Sequence, residues 1–113
     1  MAQKIEKFQV LWTVGAVNDL SDIVSYIASD RSLTSQNVYR LIKEKCQTLA
    51  LFPEQGKISS ELKELGLTRY REIIVDVWRI LYVIRDKNVY IFSVFDSRRD
   101  LEKMIFNKLI GRY

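Results

Sequence analysis

The stretch 71-REIIVDVWRILYVIRDKNVYIFSVFDSRRD-100 decides the fold. It is rich in Ile, Val, Tyr, Phe and Trp, side chains that suit a pleated, half-buried surface, and it divides into three strands at about 71–76, 78–85 and 89–95. A short turn near Asp76 and Val77 separates the first two, and Asp86, Lys87 and Asn88 form a hairpin turn before the third. The predicted sheet is therefore largely an antiparallel meander. In a regular strand over 78–85, Trp78, Ile80, Tyr82 and Ile84 face one way, and Arg79, Leu81, Val83 and Arg85 the other.

The flanks supply the covering layer. Residues 8–13, FQVLWT, alternate Phe8, Val10 and Trp12 with Gln9, Leu11 and Thr13, the period of a strand. Ala16, Leu20, Ile23, Val24 and Ile27 then recur at helical steps, with Asn18, Asp19 and Asp22 in early turns where the helix dipole favours acids. After DRSLTS, where Ser32, Thr34 or Ser35 can cap a second helix, Val38, Leu41, Ile42, Cys46 and Leu49 form its apolar stripe. So short a connection predicts an antiparallel helical hairpin. Phe52-Pro53-Glu54-Gln55-Gly56 ends the second helix, because Pro cannot continue it and Gly favours a turn. Residues 57–70 are open between a helical turn and a surface crossing. Ser97-Arg98-Arg99-Asp100 fits a capping box, and Leu101, Met104, Ile105 and Leu109 follow at helical spacing up to Gly111. The predicted order is β-α-α-β-β-β-α, an α+β fold in which the helical hairpin packs on one face of a small antiparallel sheet.

With 113 residues, 48% apolar and 28% charged, the chain suits a single globular domain over 1–113. It holds 18 Lys and Arg against 14 Asp and Glu, a net charge of +4 that tilts its partners toward nucleic acid, an acidic protein or a nucleic-acid-bound machine. With one cysteine and no histidine, an intramolecular disulfide, a Cys₂His₂ or His₃ zinc site, a Ser-His-Asp triad and a Cys-His dyad are excluded by inventory. Cys46 reads as a small core residue. Catalysis would fall to Arg, Lys, Tyr or carboxylates. No metal or cofactor is expected. The N-terminal MAQKIEKFQVLW lacks the apolar core of a signal peptide, and no run approaches the length of a bilayer span, so a cytoplasmic protein without membrane contact is expected.

The arginines are the candidate working groups. Arg71 lies opposite roughly Ile80 to Tyr82 in the predicted hairpin, two or three residues from Arg79, while Arg98 and Arg99 follow the last strand at a helix N-terminus, a poor electrostatic place for cations. Arg69, Arg71, Arg79, Arg98 and Arg99 are thus expected to gather along one side of the sheet, as a cluster able to grip phosphates or carboxylates. The ordinary alternative is that each bridges a nearby acid, with Glu72, Asp76, Asp96 and Asp100 within reach.

The segments 12-WTVGAVNDLSDIVSYIA-28, 49-LALFPEQG-56, 71-REIIVDVWRILYVI-84 and 91-IFSVFDSRRDLEKMI-105 together resemble the RelE/ParE family of bacterial type II toxin-antitoxin toxins. The resemblance covers nearly the whole chain and implies a β-α-α hairpin followed by a curved antiparallel sheet. It also implies one of two activities: ribosome-dependent cleavage of messenger RNA, as in RelE-like members, or poisoning of DNA gyrase, as in ParE-like members. As a nuclease the chain would use Arg71, Arg79 and Arg98 or Arg99, yet Glu72 and Ile73 stand where such nucleases carry a lysine. Lys103, Met104 and Ile105 stand where a catalytic tyrosine is expected, and Phe95 where many relatives have histidine. The first helix and the approach to the sheet look closer to ParE. The expected partners are a cognate antitoxin and DNA gyrase, with ribosome and messenger RNA as the alternative, or the antitoxin alone for a relative that has lost toxicity. Tyr26, Tyr39 and Ile110 are the candidate antitoxin contacts.

Overall fold

The computed structural model describes residues 7–29 and 32–98, together with Lys103, Phe106 and Lys108. In chain order the elements are β1 (Gln9–Trp12), α1 (Val14–Ala28), α2 (Ser32–Gln47), a 3₁₀ turn (Thr48–Ala50), β2 (Lys57–Ile58), α3 (Ser60–Glu64), β3 (Tyr70–Val75), β4 (Trp78–Arg85) and β5 (Asn88–Asp96). They make the expected mixed α+β fold. Most of the predicted last helix, including Arg99, Asp100 and Ile110, lies outside the described residues.

The five strands form one sheet in the order β1-β5-β4-β3-β2. The three predicted strands pair antiparallel as a meander, while β1 runs parallel to β5, with Gln9 beside Asn88 and Trp12 beside Ile91. The sheet is thus antiparallel except at that edge: α1 and α2 separate β1 from the rest of the sheet, so β1 need not reverse direction to join it. Both hairpins turn on an aspartate with positive φ, Asp76 at 54° and Asp86 at 56°, a conformation that Asp tolerates better than most residues.

Thr13 joins the first two elements. Its backbone is extended and its hydroxyl accepts from Ala16 N at 3.2 Å, capping α1, while donating to Ile91 O at 2.9 Å. Helix α1 therefore starts at a fixed point over β5. Beneath the helices, Ala16, Leu20, Ile42, Cys46 and Leu49 pack on Ile73, Ile80, Tyr82, Val89, Ile91 and Val94; of these, Ile80 and Tyr82 are on the face of β4 that alternation assigns to them. Leu41, placed by sequence on the inward stripe of α2, is 39% exposed.

Tyr82 is buried in this core and fastens the Phe-Pro-x-x-Gly turn. Its hydroxyl donates to Pro53 O at 2.7 Å and accepts from Gly56 N at 2.9 Å. A Cβ on Gly56 would lie 2.6 Å from both Glu72 O and the Tyr82 hydroxyl, so the turn can approach the sheet only with glycine there.

The opposite face of the sheet is covered as well. Helix α3, capped by the Ser59 hydroxyl, sets Leu62 against Leu81 and Phe95, with Leu67, Tyr70 and Phe92 around them. Between Leu81 and Tyr82 the register slips by one residue: Leu81 pairs with Ser93 and Tyr82 with Ile91, so Phe92 is the extra residue of a β-bulge.

Candidate functional site

Arg79 stands on the second face. Its Nη2 donates to Glu61 Oε1 at 2.8 Å and to Glu72 Oε2, its Nε donates to the same Glu72 oxygen at 3.2 Å, and the guanidinium lies 5.2 Å from the Phe95 ring centre. The Arg79 and Glu72 side chains are 12% and 7% exposed. Burial works against the charged guanidinium, but the hydrogen bonds and negative charges of Glu72 and Glu61 outweigh it and hold the Arg79 pKa above its ordinary value. The arginine is spent on two carboxylates. The ordinary alternative, a bridge to Glu72, is the one realised.

Arg71 takes a different side. It pairs with Tyr82 across the β3–β4 hairpin, whereas Arg79 pairs with Ile74, and the alternation of β4 puts positions 79 and 82 on opposite faces. The expected gathering of Arg71 with Arg79 on one side is therefore corrected. Arg71 Nη1 donates to Gly56 O at 2.7 Å, so it braces the same turn that Tyr82 holds.

Arg98 is exposed and closes on Asp96 with both edges of its fork, Nε to Oδ1 at 3.0 Å and Nη2 to Oδ2 at 2.7 Å. Asp96 pairs with Trp78, so Arg98 lies at the end of the sheet where β4 begins, the end that also carries Arg79. Arg69 is also exposed but precedes Tyr70, which pairs with Val83 at the other end. Five residues of strand, roughly 17 Å, separate those ends. Arg79 and Arg98 share one end of the sheet, Arg69 and Arg71 the other, and Arg99 is outside the described residues.

Sequence reasoning missed a second ion pair. Asp19 of α1 is buried and its Oδ2 accepts from Ser93 Oγ at 2.9 Å, Val94 N at 3.0 Å and Lys108 Nζ at 2.8 Å. Lys108, itself only 7% exposed, also donates to Phe92 O at 3.1 Å. Asp19 was read as an early-turn acid favoured by the dipole; the structure makes it the anchor between α1, the β5 bulge and Lys108. The signal was its place on the inward stripe between Ala16 and Ile23.

Of the candidate antitoxin contacts, Tyr26 is 83% and Tyr39 47% exposed, both on the helical hairpin. Lys43, one turn after Tyr39, lies 4.7 Å from the Trp12 ring centre. Cys46 is buried, which pushes its thiol up to about 12 and leaves it protonated at neutral pH. Among the described residues no group of three or more His, Cys, Asp or Glu side chains is placed to hold a metal ion, and no helix is long and apolar enough to cross a membrane.

A helical hairpin on a five-stranded sheet of this order is a fold shared with solved proteins of toxin-antitoxin systems. The chain superposes on a protein solved as the chromosomal ParDE TA system from P. aeruginosa with a TM-score of 0.68 at 16% identity, covering 80% of this chain and 97% of that one. It superposes on the toxin-antitoxin complex RelBE2 from Mycobacterium tuberculosis with a TM-score of 0.61 at 20% identity, covering 80% and 98%. A mutant of E. coli toxin RelE in the free state gives 0.59 at 14% identity, covering 94% and 97%. In sequence, the chain is 30% identical over 92 residues to Toxin RelE2 of Caulobacter vibrioides, covering 80% of this chain and 97% of that protein. The family described as ParE toxin of type II toxin-antitoxin system, parDE, matches residues 10–101. The chain belongs to that family.

Proposed function

We propose that the protein arrests growth by poisoning DNA gyrase in the cytoplasm and that a cognate antitoxin neutralises it. The observation that carries this reading is the employment of Arg79 and Arg71. Cleaving RNA through its 2′-hydroxyl needs a base, cations for the phosphorane and a donor for the leaving oxygen. Here the Arg79 fork is occupied by Glu72 and Glu61, and Arg71 is bonded to Gly56 O, so two of the four nuclease candidates are committed to the fold. A gyrase poison needs a binding surface and no catalytic set. Arg98 and Arg69, both exposed, are the target contacts we propose, with Arg99 beside Arg98 in sequence.

The antitoxin reading draws on neighbours solved as toxin-antitoxin systems and on the exposed Val14, Val17, Tyr26 and Tyr39 of the hairpin. A basic toxin would draw in an acidic antitoxin segment by its charge. One observation favours the second reading, ribosome-dependent messenger RNA cleavage: the 30% identity to a relative named Toxin RelE2.

The test is supercoiling by purified gyrase with and without the purified protein, with trapped cleavage complexes scored on the same gel. Inhibition with cleaved DNA is expected. No effect at high excess, together with cleavage of messenger RNA on programmed ribosomes, would establish the second reading. No effect in both assays would mean a relative without toxicity.

A further inference from the structure

Residues 60–67 sit on the second face of the sheet without joining it. Ser59 N donates to Tyr70 O at 2.9 Å, and beyond that point the backbone bonds of the segment close on themselves. Lys63 N reaches Ser59 O at 3.0 Å, Leu65 N reaches Leu62 O at 3.0 Å, Gly66 N reaches Lys63 O at 3.0 Å and Leu67 N reaches Leu62 O at 2.8 Å. Side chains hold it down: Leu62 on Leu81 and Phe95, and Glu61 on Arg79. Gly66 has φ +85° and nothing within 4 Å of where its Cβ would stand, so the chain leaves α3 through a permissive residue in open space.

The two carboxylates on Arg79 are unequal. Glu72 belongs to β3 and its side chain is 7% exposed, while Glu61 belongs to α3 and is 42% exposed. When α3 lifts, Arg79 keeps Glu72, so no guanidinium is orphaned. Glu61 moves further into water, and the β3–β4 ladder stays whole because α3 contributes no pair to it. The change is confined to the packing of Leu62 and the part-buried Leu67 and to one half-exposed ion pair, the kind of local unit that opens without global unfolding.

We propose that α3 is a strap that opens as a unit about Gly66 while the rest of the domain stays folded, baring the apolar strip of Leu81, Phe92 and Phe95 beside Arg79. The strap sets how much of the time that strip meets solvent, and Glu61 sets the strength of the strap.

Thiol labelling tests this with an internal control, because Cys46 is fully buried in the core under the hairpin and reports opening of the whole domain. The thiol introduced by Leu81→Cys is expected to react with a disulfide reagent at least about ten-fold faster than Cys46. Adding Glu61→Ala should speed it a further two- to five-fold, roughly the worth of an exposed ion pair, with Cys46 unchanged. Equal rates for the two thiols, or a Glu61→Ala effect that is absent or shared equally with Cys46, would overturn the proposal. Since Leu81→Cys can itself loosen this face, amide exchange in the unaltered protein provides a second reading. The amides of Lys63, Leu65, Gly66 and Leu67 should exchange together and faster than those of β4, and exchange only in step with β4 would overturn the strap.

Discussion

Under the helical hairpin, Ala16, Leu20, Ile42, Cys46 and Leu49 close on the inner side chains of β3, β4 and β5, and the polar groups admitted there, Asp19 and Tyr82, are held by hydrogen bonds from several elements. Among the described residues, the apolar side chains buried on the other face are Leu62, Leu81 and Phe95, and Arg79, Glu72 and Glu61 complete it. The first face is held by area; the second by a small apolar plug and a charge cluster. One sheet can carry both because alternation along β4 sends Ile80 and Tyr82 one way and Arg79 and Leu81 the other. An arginine in such a sheet is therefore no marker of function until its face and its partners are known.

The difference can be broken hardest at Asp19. Asp19→Ala removes the buried carboxylate that accepts from Ser93, Val94 and Lys108, and urea unfolding should show a loss of about 3–5 kcal/mol. A smaller contrast comes from one truncation on each face. Ile80→Ala, in the packed hairpin core, should cost about 4 kcal/mol, and Leu62→Ala, under a five-residue helix able to settle into the space, about 2 kcal/mol. Equal losses would mean that the second face is packed as firmly as the first.

Alkaline pH sharpens the comparison further, because both shifted acids lie on the hairpin side. Burial raises Cys46 to about 12, and burial raises Tyr82 despite the opposing hydrogen bond from Gly56. For each, the unfolded chain loses its proton first, so the stability is complete below the unfolded pKa and falls as pH rises toward the folded one. Above about pH 9, Cys46 should cost about 1.4 kcal/mol per pH unit, joined by Tyr82 above about pH 10. Unfolding curves for Cys46→Ala should lack the first of these slopes. The smallest effect is expected at the β4–β5 turn, away from both cores: Asp86→Gly relieves a positive φ and should gain a few tenths to about 1 kcal/mol in thermal unfolding.

Much of the fold was legible in the sequence. The strands expected at 71–76, 78–85 and 89–95 stand at Tyr70–Val75, Trp78–Arg85 and Asn88–Asp96, since period-two apolar runs between turn residues admit few other readings. The parallel docking of β1 on β5 and the bulge at Phe92 were not legible, because pairing partners and register slips are settled by tertiary packing and leave no local pattern. Helix α3 stayed open because five residues carry too little periodicity. Arg71 and Arg79 were set near each other along the hairpin, and the error was one of face: they are separated by an odd step once Arg71 pairs with Tyr82. The Arg79 partners were only half legible, Glu72 being nearby in sequence while Glu61 arrives on α3.

The most direct measurement is a double-mutant cycle on Arg79→Met and Glu72→Met, read by urea unfolding with growth arrest scored in parallel. If the arginine belongs to the fold, each single substitution should cost about 2–3 kcal/mol, the double should cost far less than the sum, and a coupling of about 2 kcal/mol should remain. Single variants as stable as the parent, with growth arrest lost only in Arg79→Met, would contradict the account and return Arg79 to the working groups.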